Sequence, residues 1–78
     1  MPIEAVRVAA IFEPSGIRPV WFARGKRKYP VEQTTYSWQD RDGAALRFHF
    51  TVTSGNELFE LVYHTGKQNW SLGLIEGI

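Results

Sequence analysis

The chain has 78 residues, 44% of them hydrophobic, with nine basic residues against eight acidic and no cysteine. A chain this short buries only about 60–65% of its unfolded surface around one core, so a single domain over residues 1–78 is expected. The absence of cysteine excludes disulfide staples and a thiolate zinc site.

No apolar run reaches the ~20 residues of a membrane helix. Met1-Pro2-Ile3-Glu4 lacks the basic and long apolar regions of a signal peptide, so a cytoplasmic location and no membrane partner are expected. Eleven aromatics (three Trp, three Tyr, five Phe) compensate for the short chain, since each buries about 150–250 Å². The net charge of +1 conceals a segregation. Arg18, Arg24, Lys26, Arg27 and Lys28 fall between Pro14 and Val31 with no acidic residue among them, and the rest of the chain sums to −4. A positive hairpin on an acidic body can steer anionic partners, and it can equally keep an exposed strand edge soluble.

Turn signals cut the chain into alternating apolar and polar runs, the pattern of consecutive hairpins. Glu4 to Glu13 reads as the first strand, with Val6, Val8, Ala10 and Phe12 on one face. Its alanines also suit a helix, but Val, Ile and the stop at Pro14-Ser15-Gly16 favour a strand. Ile17 to Arg24 is the second strand, in which Pro19 has no N–H for a ladder and belongs at an edge or a bulge. The third runs from Tyr29 to Asp40, the fourth from Ala44 to Thr53, the fifth from Glu57 to Thr65 and the sixth from Trp70 to Ile75.

Register follows from the fourth strand, where Leu46, Phe48, Phe50 and Val52 alternate with Arg47, His49, Thr51 and Thr53 and must face the core. A two-residue Asp42-Gly43 loop sets Ser37 and Thr35 opposite Phe48 and Phe50. A three-residue Arg41-Asp42-Gly43 loop pairs Trp38 with Leu46 and Tyr36 with Phe48. Because a one-residue slip reverses every side chain, the second register is expected, with Gly43 in the left-handed conformation. Gly55-Asn56 as a primed two-residue turn pairs Val52 with Phe59, Phe50 with Leu61 and Phe48 with Tyr63. A Gly66-Lys67 loop sets Tyr63 beside Trp70 and Leu61 beside Leu72, whereas a four-residue loop pairs Tyr63 with Leu72. Both remain open.

One apolar face then holds Tyr36, Trp38, Leu46, Phe48, Phe50, Val52, Phe59, Leu61, Tyr63, Trp70, Leu72 and Leu74. A one-sided sheet needs a cover. No helix is available, so the first two strands are expected to curl over it, giving an all-β, six-stranded antiparallel meander closed into a small barrel or roll. Two copies stacked face to face are the alternative.

The basic hairpin is the leading candidate site. Arg18, Trp21, Phe22, Arg24, Lys26, Arg27, Lys28 and Tyr29 interleave cations with aromatics, the combination with which small barrels stack bases and track phosphates. Trp21 and Phe22, adjacent on a strand, point to opposite faces. If Phe22 and Val20 pack under the first strand, the cations only solubilise a turn. His49 and His64 fall on the outer face as diagonal neighbours near Glu60, where solvent-facing polar positions explain them better than a metal site.

Glu13, Glu32, Asp40, Asp42, Glu57 and Glu60 are scattered, and no nucleophile, phosphate loop or metal string is present. No catalytic residue, cofactor or metal is expected. Gly16, Pro19, Phe22, Gly25, Tyr29, Val31 and Trp38 form a string that resembles small bacterial all-β domains of unknown function, departing at Gly25, where extra basic residues precede the tyrosine. The resemblance implies a bacterial all-β protein and carries over no functional residue.

The expected function is that of a non-enzymatic binding or accessory module. Its partner is nucleic acid or another polyanion, including an acidic protein, held through residues 18–29. The alternative is a protein-interaction module or homodimer using a sheet edge or the apolar face.

Overall fold

The computed structural model describes residues 4–77, and the side chains of residues 4–73. Among these residues lie seven strands: β1 (Glu4–Glu13), β2 (Gly16–Arg24), β3 (Arg27–Pro30), β4 (Gln33–Asp42), β5 (Ala45–Ser54), β6 (Glu57–His64) and β7 (Asn69–Gly77). All pairings are antiparallel and the spatial order is β3-β2-β1-β7-β6-β5-β4. The sheet is a meander whose first and last strands pair, Glu4 with Leu72, Ala5 with Ser71 and Val6 with Trp70. It curls into a half-barrel, as the one-sided apolar face requires.

Seven strands replace the expected six because the run from Tyr29 to Asp40 divides at Val31-Glu32. Pro30 ends β3 and has no N–H. The next two amides then point to opposite sides, as neighbouring amides of an extended chain do. Val31 donates to the Val20 carbonyl of β2 and Glu32 to the Thr53 carbonyl of β5, each at 2.9 Å. One run thus serves both walls and closes the barrel at that corner.

β2 carries a bulge at Val20, between the pairs Ala9–Trp21 and Ala10–Pro19. Pro19 sits beside it, one of the two places expected for a residue without a donor. Residues 17 and 22 differ by an odd number and would face opposite ways on a regular strand. The extra residue lets both Ile17 and Phe22 reach the core.

That core is aromatic and closed to solvent. Phe22, Val52 and Leu61 are 0% exposed and Phe59 1%. Phe22 stacks on Tyr29 across the β2–β3 pair, ring centroids 5.0 Å apart and planes 3° from parallel. Phe59 meets both rings edge-on at 5.1 and 5.5 Å. Trp70 packs on Phe50 and Tyr63. Val6, Val8 and Ala10 of β1 supply the cover.

The β5–β6 register agrees with the sequence, including Val52–Phe59, Phe50–Leu61 and Phe48–Tyr63. The last hairpin pairs Tyr63 with Trp70 and Leu61 with Leu72, although its turn spans four residues, with Gln68 at φ 55°. The side chain of Leu74, placed on the same face by the sequence, lies outside the described residues.

β4 departs from the expectation. Its loop to β5 is Gly43-Ala44, so Ser37 faces Phe50, Gln39 faces Phe48 and Trp38 faces His49. Gly43 adopts φ 65° as the first residue of a two-residue turn, the conformation that Gly25 and Gly55 take at φ 61° and 63° in theirs. Tyr36 and Trp38 therefore lie on the convex face, 63% and 42% exposed, and not in the core. A bulge at Thr35 returns Thr34 to the inner face opposite Val52.

Removing a ring from the sealed cluster leaves a cavity that a domain this small cannot collapse. Phe59→Ala is expected to destabilise the fold by about 3–5 kcal/mol. Phe12→Ala, at a ring 62% exposed, is expected to destabilise it by less than about 1 kcal/mol. Urea unfolding of the two variants checks the difference, and equal losses contradict the placement of the core.

Candidate functional site

The basic hairpin folds as β2 and β3, and its aromatics divide between inside and outside. Phe22 is fully buried and Tyr29 half-buried against it, so neither offers a free face to a base. Trp21 points outward, with the Lys28 ammonium 4.2 Å above its ring, and the Arg27 guanidinium lies 4.9 Å from the Tyr29 ring. Arg18 pairs with Glu13 at 3.5 Å and Arg24 with Glu4 at 2.9 Å. The Glu4 hydrogen bond raises the Arg24 pKa further. Lys26, Arg27 and Lys28 have no ion-pair partner among the described residues. β3 is an edge of four residues with two cations and a proline, the devices by which edges resist pairing.

β4, the other edge, has the opposite character. It is ten residues long and, among the described residues, pairs only with β5. Gln33 to Gln39 (Gln-Thr-Thr-Tyr-Ser-Trp-Gln) contains no charge, proline or glycine, and every residue of it is exposed.

The ladder fixes the hydrogen-bond direction along this strand. The Leu46 carbonyl accepts from the Thr65 N–H, so Leu46 and alternate residues of β5 after it turn their backbone groups to β6. The residues between them, Arg47, His49 and Thr51, bond instead to their β4 partners Asp40, Trp38 and Tyr36. Ser37, Gln39 and Arg41 are left with both the N–H and the C=O directed off the sheet. Among the described residues these are six unpaired backbone groups along one edge.

Beside that edge the barrel is open. Beyond the end of β3 the Gly16–Pro19 part of β2 also lacks a partner on its outer side among the described residues, and β2 and β4 diverge from the corner at Val31-Glu32. Between them lies a mouth of ≈ 460 Å³ with Phe12, Ile17, Phe48 and Phe50 as its floor and Ser37 and Gln39 on its wall. An adjoining hollow of ≈ 340 Å³ shares Ile17, Ser37 and Phe50 and extends to Thr34 and Arg18. The β4–β5 register makes this surface. With Ser37 and Gln39 inside, the β4 wall is polar and leaves the phenylalanine floor uncovered.

The convex side of the same strands carries a polar network. Arg47 grips Asp40 with two hydrogen bonds, Nε at 2.9 Å and Nη2 at 2.6 Å. His49 lies 8% exposed between Asp40 (Nε2, 3.1 Å) and Glu60 (Nδ1, 3.3 Å), under the Trp38 ring at 3.8 Å and 5°. The Lys67 N–H donates to Nδ1 of His64, so its Nε2–H donates to Asp42 at 2.9 Å.

The histidines occupy the outer-face register expected for them, but His49 is not solvent-facing. Trp38 covers it. Among the described residues no group of three or more His, Asp or Glu is placed to hold a metal ion. The network instead ties β4 to β5 and β6 and holds the free edge in place.

No family model matches the chain, and neither a curated protein nor a solved structure is detectably similar to it.

Hydrogen bonds from Arg47 hold the Asp40 carboxyl below its ordinary pKa, and His64 does the same for Asp42. Both groups bind protons more readily unfolded than folded. Their stabilisation is present above about pH 4, the unfolded value, and is lost as pH falls through the lower folded values. The urea midpoint is expected to fall on acidification below about pH 4, and to fall less in Asp40→Asn. An equal fall in both proteins contradicts the role of the network.

Proposed function

We propose that the protein is a non-enzymatic interaction module that takes up one further β-strand along β4. The six backbone groups of Ser37, Gln39 and Arg41, unpaired and aimed off the sheet, carry this reading, because another strand satisfies all of them at once. The mouth adds a place for the inward-facing side chains of that strand. Its floor of Phe12, Ile17, Phe48 and Phe50 is what alternate residues of a bound segment would cover. The volume of ≈ 460 Å³ suits a few side chains, within the roughly 300–1,000 Å³ of ligand pockets.

Selection of ten-residue peptides displayed on phage tests the proposal. Binders are expected to alternate apolar and polar residues and to lose at least tenfold in affinity against Ser37→Pro, which deletes an outward N–H and leaves the β4–β5 ladder intact. Ser37→Lys, which sets an inward charge on the edge, serves if the proline variant does not fold. Failure to recover binders, or binders indifferent to both substitutions, overturns the proposal.

A second reading, polyanion binding, is favoured by one observation: Lys26, Arg27 and Lys28 project from the hairpin without ion pairs among the described residues, beside an outward Trp21. A fluorescent oligonucleotide is then expected to bind at low salt, to weaken as salt rises, and to lose several-fold in affinity when the three cations are changed to Glu. No affinity at low salt ends this reading.

A further inference from the structure

We infer that the strand taken up by β4 is the β4 of a second copy, joined antiparallel about Gln39. This inference rests on the proposed role of the edge and names its occupant. Three observations support it.

The two edges of the sheet are treated differently. β3 is short, cationic and closed by Pro30. The Gln33–Gln39 stretch of β4 has none of these features, and its threonines and aromatics favour strand pairing. An unguarded edge of that composition templates open-ended addition unless a defined partner covers it. Twofold antiparallel pairing is the arrangement that consumes the edge of each copy and stops.

Register is set by the hydrogen bonds. Only pairing centred on Gln39 lets every outward residue meet another: Ser37 faces Arg41 of the second copy, Gln39 faces Gln39, and Arg41 faces Ser37. Six backbone bonds result. The paired segment, 36–42, excludes the bulge at Thr35, which would break a ladder.

Charge completes the case. In this register Asp40, Arg41 and Asp42 of one copy lie opposite Trp38, Ser37 and Tyr36 of the other, so a charged triplet meets a neutral one and no like charges face each other. The exposed rings of Tyr36 and Trp38 come alongside the second copy on the convex face. Pairing through β3 would instead bring Arg27 and Lys28 against the same cations.

Sedimentation equilibrium of the full chain tests the inference. Wild type is expected to double in mass as concentration rises. Gln39→Lys and Gln39→Glu, each setting like charges face to face across the twofold, are expected to remain monomeric, and an equimolar mixture of the two to recover the doubled mass. A dimer unaffected by either substitution overturns the inference, since another surface then forms it. A wild type monomeric at every concentration also overturns it. In that case phage-selected peptides sensitive to Ser37→Pro would leave the strand-accepting role standing, and their absence would remove both.

Discussion

Two adjacent backbone amides organise this molecule. Val31 donates to β2 and Glu32 to β5, so a single extended run crosses from one wall of the barrel to the other. Everything on the functional side follows from that crossing. At the corner the walls are held together and the Phe22–Tyr29–Phe59 cluster is sealed. Away from it β2 and β4 diverge, because β3 ends at Pro30 and none of the described residues fills the place beside Gly16–Pro19. The open mouth and the unpaired edge of β4 are one feature seen from two sides.

Much of the fold was legible in the residues. Alternation of Leu46, Phe48, Phe50 and Val52 set the inner face of β5, and the Gly55-Asn56 turn set the β6 register. At β4 hydrophobicity and turn chemistry point to different registers. A three-residue loop buries Tyr36 and Trp38 and so enlarges a small core. Yet the glycine rule that worked at Gly55 applies equally at Gly43, and it gives the Gly43-Ala44 turn observed. That register would also have predicted the Asp40–Arg47 and Trp38–His49 pairs of the convex network. The division at Val31-Glu32 was harder to see, since a bent strand and a straight one share the same residues and only tertiary hydrogen bonds separate them.

The candidate site was legible only in part. Charge segregation drew attention to residues 18–29, and the structure places Phe22 and Tyr29 of that string inside or against the core. Strand alternation alone left open which of Trp21 and Phe22 would be buried. The bulge at Val20 decides it by shifting the phase of β2, and Pro19 beside it was the available signal. The significance of β4 lay in what Gln33–Gln39 lacks, and absent charge speaks only once the strand is known to be an edge.

One further consequence belongs to the pairing of β1 with β7. Glu4–Leu72 and Val6–Trp70 join residues more than sixty positions apart, so the sheet cannot be completed from local hairpins alone. During synthesis β1 and β2 can meet early, but the cover over Phe59 and Leu61 stays incomplete until the final strand leaves the ribosome. Contacts of such long sequence separation slow folding. The aromatic cluster therefore stays unsealed until β7 has been synthesised and paired with β1.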